Sequence, residues 1–140
     1  MKKVKLRVPA TVANLVCGFD ILGMAIHDPY DEMELKLLDS PDIIIKHEDS
    51  FGLPEQPSKN VAGVVLQKIQ EHLKLSQGFE VIIRKHIKPG SGLGSSAASA
   101  AGAAFGANAL LGDILCKEEL IHFAMFGEEL ASGVRHADNI

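Results

Sequence analysis

Charged and apolar residues alternate from Lys3 to Val8, "KVKLRV", which puts Val4, Leu6 and Val8 on one face, the pattern of a half-buried strand. "EMELKLL" (32–38) alternates in the same way, and "DIIIKH" (42–47) is rich in β-branched residues, so both are predicted strands. Between the first two lies "PATVANLVCGFDILGMAI" (9–26), an apolar run punctuated by Asn14, Gly18, Asp20 and Gly23, read as a structured loop. Ser50 to Ser58, with Gly52, Pro54 and Pro57, is a second loop.

The period then changes. Ala62, Val65, Leu66, Ile69 and Leu73 form one apolar stripe at helical spacing, predicting a helix from near Asn60 with Ser58 or Asn60 as its cap. "GFEVIIRKHI" (78–87) reads as a strand with Phe79, Val81 and Ile83 on one side. A helix of small residues follows to about Leu111, and "KEELIHFAMFGEELASG" (117–133) opens a third helix with acids in its first turn, as the helix dipole favours. Phe105, Phe123 and Phe126 are expected in the core. With no internal repeat and no linker, the order predicts one α+β domain: three helices packed on a mixed, mostly antiparallel sheet.

Composition narrows the classes. The chain has 140 residues, enough for one domain with a real core, and a formal charge of −4. That balance argues against nucleic-acid binding through nonspecific phosphate contacts. The basic clusters "MKKVKLR" and "IIRKHIK" are strand-like and read as solvated faces. Cys17 and Cys116 lie far apart without metal-ligand spacing, and are expected to be free, buried thiols in a reducing cytoplasm. "MKKVKLRVPATV" lacks the apolar core of a signal peptide. Residues 89–112 carry no charge, but Leu93, Phe105, Leu110 and Leu111 are too few large apolar residues for insertion into a membrane.

Candidate chemistry concentrates in "KPGSGLGSSAAS" (88–99), a glycine and serine loop between a strand and a helix. Glycines let a backbone approach a ligand closely, and the free N–H groups of a helix's first turn favour an anion. Ser95 and Ser96 add hydroxyls for phosphate or a magnesium ion. Neither the Walker A loop nor the dinucleotide fingerprint is present, so the residues alone leave open a phosphate cradle and a structural tight turn.

The order of residues resembles the phosphate loop of the GHMP kinases: Lys88 in the first position, then Gly92, Leu93, Gly94, Ser95, Ser96 and Ala97. Two further segments resemble the homoserine kinase branch of that family, "PATVANLVCGFD" (9–20) and "GEELASGVRHADN" (127–139); "SKNVAG" (58–63) also matches. The resemblance implies the amino-terminal, ATP-binding domain of such a kinase over residues 1–140, with a fold also found in a ribosomal protein domain. It implies phosphorylation of the L-homoserine hydroxyl with ATP and magnesium, in the cytoplasm, and a possible homodimer. Asn14, Asp20, His136 and Asp138 match substrate-binding positions. Asp138 is also the candidate general base, although phosphoryl transfer can run on positioning and charge neutralisation. Glu128 and Ser96 match the magnesium ligands. Asn60 and Val61 are expected to border the adenine, and Lys88, Pro89, Gly90, Ser91, Gly92, Leu93, Gly94, Ser95, Ser96, Ala97 and Ala98 to hold the phosphates. Val12, Val16 and Cys17 depart from the family pattern within the first motif.

Homoserine kinases are considerably longer and add a carboxy-terminal domain that closes the active site. The 140 residues are therefore expected to be an amino-terminal portion, with weak nucleotide binding and little activity alone. A sister kinase for another small alcohol, or a non-catalytic nucleotide- or RNA-binding module of the same fold, are the alternatives. The acidic balance disfavours the RNA reading.

Overall fold

The computed structural model describes residues 2–13, 22–133 and 137–140. The amino-terminal alternation extends further than predicted. Strand β1 spans Lys3–Ala13 and β2 spans Gly23–Leu38, and they pair antiparallel along their length. The described parts of the segment read as a loop, Pro9–Ala13 and Gly23–Ile26, are therefore strand. Pro9 is tolerated there because β1 lies at the sheet edge and the register shifts between Pro9 and Ala10, where a missing N–H costs least.

Strand β3 (Ile43–His47) leads through a 3₁₀ turn at Pro57–Lys59 into helix α1 (Val61–Leu73), and strand β4 (Gly78–Arg84) follows. The sheet order is β1-β2-β4-β3, antiparallel except for the β3–β4 pair, which the α1 crossover makes parallel. Helices α2 (Ser95–Leu111) and α3 (Lys117–Ser132) complete the domain. Among the described residues this is the expected α+β architecture, a mixed four-stranded sheet with three helices.

Alternation sorts the two faces of the sheet. Met33, Leu35, Phe79, Val81 and Ile83 are buried against α1 and α2. On the opposite face Lys36 and Lys46 clasp Glu80, at 3.0 and 2.6 Å, and Lys5 reaches Glu34 at 3.3 Å.

Helix α2 carries no charged residue and is buried over most of its circumference, packing against β1, β2, α1 and α3. Its small residues permit the close approach. A Cβ on Gly102 would stand 2.4 Å from Met33 Sδ and 2.8 Å from Val8 Cγ2, and one on Gly106 2.7 Å from Leu35 Cδ1.

Two core expectations fail. Phe105 is 58% exposed, because it lies with Ala101 and Ala109 on the least covered stripe of α2, beside a shallow groove shared with Leu120 and Ile121 of α3. Cys116 is exposed at the amino-terminal cap of α3, where its N–H donates to Glu119 Oε2 at 2.8 Å. Phe123 is buried and Phe126 half-buried, both against the core. Cys17 lies outside the described residues.

Candidate functional site

The glycine loop joins β4 to α2 and carries three left-handed residues in alternation, Gly90, Gly92 and Gly94, with φ of +75°, +77° and +64°. Side chains rarely adopt this backbone, and repeated turns of this kind direct N–H groups into an anion-binding hollow. Gly94 is the cap residue of α2 and offers no side chain, and the first turn of α2 contains no acid. The first-turn N–H groups of α2 and the positive end of its dipole are therefore left for an external acceptor. Helix α3 shows the contrast, with Glu118 and Glu119 occupying its own first turn.

Two hollows flank that first turn. One, of about 390 Å³, is lined by Asn60, Val61, Pro89, Gly90, Ser95 and Ser96, together with Lys85 and Ser99. The other, of about 610 Å³, is lined by Thr11, Gly23, Ala97, Ala98, Asp138 and Asn139. The serines of the turn face the first hollow and its alanines the second. The structure thus brings Asn60, Val61, Pro89, Gly90, Ser95 and Ser96 of the predicted nucleotide residues to one side of the helix terminus, and Ala97 and Ala98 with Asp138 to the other. Asn14, Asp20 and His136 lie outside the described residues.

Not every predicted residue is available to a ligand. Ser95 Oγ donates to Ile87 O at 2.9 Å, so Ser95 ties down the entry to the loop. Leu93 packs its side chain on Ala10, Ile87 and Ala98 and accepts the Thr11 N–H on its carbonyl at 3.2 Å. Asn60 caps α1 by accepting from Gly63 N–H at 3.2 Å, and its amide donates to Pro54 O at 2.7 Å. Those two bonds fix the amide orientation, so its contact with His47 Nε2 at 3.0 Å is a donation to the ring. His47 Nδ1–H then faces Asp49 at 3.0 Å. Burial pushes the Asp49 carboxyl up, but His47, the Phe51 N–H and Lys85 outweigh it, and the net direction is down. Lys88 is exposed and Ser96 half-buried in the first turn of α2, while the Ala97 side chain is fully buried.

The basic run "IIRKHIK" is not a solvated face throughout. The Lys85 side chain is 1% exposed and ion-paired to the wholly buried Asp31. Its ammonium also donates to Ser95 O at 2.6 Å and Ser99 Oγ at 2.9 Å. Asp31 Oδ1 accepts the N–H groups of His86 and Ile87 at 2.8 and 2.9 Å. Burial pushes Lys85 below the ordinary lysine value, opposed chiefly by Asp31 and more weakly by Asp49 and Glu128. The sequence carried one signal for this: Lys85 continues the inward alternation of Phe79, Val81 and Ile83, with Ile87 beyond it, so the strand pattern itself places it on the buried face.

Glu128 is buried on α3. Its neighbour Gly127 abuts Ala100 of α2, and Ala131, one turn on, lines the same hollow as Ser96. The antiparallel packing of α2 and α3 therefore brings Glu128 to the Ser96 end of α2. A carboxylate and a hydroxyl are the hard oxygen donors that magnesium takes. No group of three His, Cys, Asp or Glu side chains among the described residues could hold a metal alone. The donors present fit magnesium shared with phosphate oxygens and water, its usual arrangement.

Comparison with known proteins agrees with this geometry. The family model of the GHMP kinases N-terminal domain matches residues 60–140. The chain is 45% identical over 141 residues to a homoserine kinase of Methanococcus maripaludis, covering 100% of this chain and 47% of that protein. It is 42% identical over 151 residues to one from Chloroherpeton thalassium, with 99% and 47% covered. A crystal structure of homoserine kinase from Cytophaga hutchinsonii superposes with a TM-score of 0.92 at 41% identity, over 99% of this chain and 45% of that one. The mevalonate kinase of Methanococcus jannaschii shares the fold, with a TM-score of 0.75 at 20% identity, over 99% of this chain and 50% of that one. The chain belongs to the GHMP kinase N-terminal domain family. It spans about half the length of the curated relatives it matches.

Proposed function

We propose that this chain is the ATP-binding half of a kinase that phosphorylates the side-chain hydroxyl of L-homoserine, a step of threonine biosynthesis carried out in the cytoplasm. One observation carries the reading: an uncapped helix terminus behind a left-handed glycine loop, with a hollow on each side. A triphosphate laid across such a terminus from the first hollow presents its terminal phosphoryl group to the second. The relatives named homoserine kinase supply the substrate, and the two hollows supply the route.

In this reading Val61 and the backbone around Asn60 border the base, and the loop from Lys88 to Ala98 holds the phosphates through N–H groups. Glu128 and Ser96 would hold magnesium, which when bound neutralises phosphate charge. Asn14, Asp20 and His136 bind homoserine, and Asp138 lies beside its hydroxyl as substrate contact and candidate base. Phosphoryl transfer asks mainly for alignment and charge stabilisation, which the helix terminus provides. The protein is proposed to act as a homodimer.

The test is homoserine-dependent ADP release by the full-length protein carrying this domain, with the phosphorylated product identified by phosphorus NMR. Turnover of mevalonate or shikimate without turnover of homoserine would reassign the substrate. Salt-dependent binding of RNA with no ATP-dependent turnover of any of the three would replace the kinase reading altogether.

A further inference from the structure

We infer that Asp31 is a positioning residue for the glycine loop, acting through Lys85 and two backbone amides. The inference rests on the nucleotide reading above, but neither Asp31 nor Lys85 is a residue that reading places on the ligand. Both stems of the loop converge on this one carboxylate. Asp31 Oδ1 holds the N–H groups of His86 and Ile87, on the entry side. Asp31 Oδ2 pairs with the Lys85 ammonium, whose remaining protons go to Ser95 O and Ser99 Oγ, on the exit side in α2. Ser95 Oγ closes the circuit on Ile87 O at 2.9 Å.

The chain from Lys88 to Gly94 is thus a loop whose two ends are bolted to β2 through one buried ion pair. Three left-handed glycines leave such a segment little stiffness of its own, so its shape depends on what holds its ends. A buried pair is a poor source of net stability, since its desolvation offsets most of the attraction. Its value here is to hold one arrangement of the loop, with the first turn of α2 presented at a set distance from the strand. Asp31 touches no ligand in this scheme. It acts on phosphate binding through Lys85, His86 and Ile87.

The test compares the full-length protein carrying this domain with its Asp31→Asn variant and with the double variant Asp31→Asn/Lys85→Met. Asparagine keeps an oxygen for the two amides and removes the charge. The double variant also removes the ammonium left unpaired, so a folded protein is retained for measurement if the single variant unfolds. ATP with magnesium and adenosine are titrated separately. Loss of a charge-assisted bond predicts ATP weakened about tenfold or more in both variants, with adenosine changed less than about twofold. Amide exchange is expected to rise about tenfold in residues 87–98 while α1 stays protected.

ATP affinity unchanged, ATP and adenosine weakened together, or exchange raised equally across α1 would each overturn the inference. So would wild-type ATP affinity in the double variant, because the loss would then come from the stranded ammonium. A full-length wild-type protein that binds neither ATP nor adenosine would overturn the nucleotide reading instead, and the exchange measurement then decides the clamp alone.

Discussion

The Thr11 hydroxyl lies 2.9 Å from Asn139 Oδ1 and 3.1 Å from Asn139 O, joining residues 128 apart in the chain. The Thr11 N–H meanwhile donates to Leu93 O at 3.2 Å. One residue at the end of β1 therefore ties the glycine loop to the segment that carries Asp138. Replacing Thr11 with Val keeps the shape and removes the hydroxyl, leaving Asn139 without that donor. A loss of about 1 kcal/mol in unfolding free energy is expected, read from urea denaturation, together with weaker substrate binding.

Gly94 sits against the same hydroxyl. A Cβ there would come within 2.1 Å of Thr11 Oγ1, and its φ of +64° disfavours any side chain. Gly94→Ala is expected to cost about 1–3 kcal/mol and to weaken ATP binding by shifting the first turn of α2. Thermal melting and ATP titration measure the two effects. Unchanged values of both would contradict the placement of the loop.

The two phenylalanines of the helices predict opposite outcomes. Phe123 is 5% exposed, and Phe123→Ala is expected to destabilise by about 3–5 kcal/mol, the cost of a buried ring and its cavity. Phe105 is 58% exposed, so Phe105→Ser is expected to change stability by no more than about 0.5 kcal/mol. Both are measured by denaturant unfolding. Equal costs would show that α2 is rotated from the position described.

Acid stability is expected to depend on Glu80. Hydrogen bonds from Lys46 and then Lys36 hold its carboxyl below the ordinary value of 4.5. The folded state then binds fewer protons than the unfolded chain as pH drops, so this contribution is full above 4.5 and disappears as pH falls through the folded value. Glu80→Gln should flatten that part of the stability–pH curve. High salt should do so in part, since at about 1 M the screening length is about 3 Å and Lys46 is half exposed.

Close packing of α2 gives a further expectation. Gly102→Val would drive two methyl groups into Met33 and Val8, which already bound the space a Cβ would need. A loss of about 1–3 kcal/mol by overpacking is expected in thermal or urea unfolding.

Local sequence determined the elements whose side chains obey one rule along their length. Alternation marked β1, β2 and β4, the stripe from Ala62 to Leu73 marked α1, and the order of glycines and serines marked the loop. These features are legible because each depends on spacing along the backbone. The positions of Lys85 and Phe105 were decided by neighbours distant in sequence, whereas Cys116 is exposed as the cap of α3, bonded to Glu119 three residues on. Lys85 is buried because Asp31, 54 residues earlier, supplies a counter-charge where β2 passes beneath the loop. Phe105 is exposed because α2 meets the sheet through Gly102 and Gly106 and leaves the adjoining stripe of Ala101, Phe105 and Ala109 least covered. Thr11 gave no periodic or compositional signal, since its role arises only where β1, the loop and Asn139 meet. Sequence thus specified which backbone would form the hollow, and tertiary packing decided which side chains hold it open, because burial and charge pairing belong to contacts between elements.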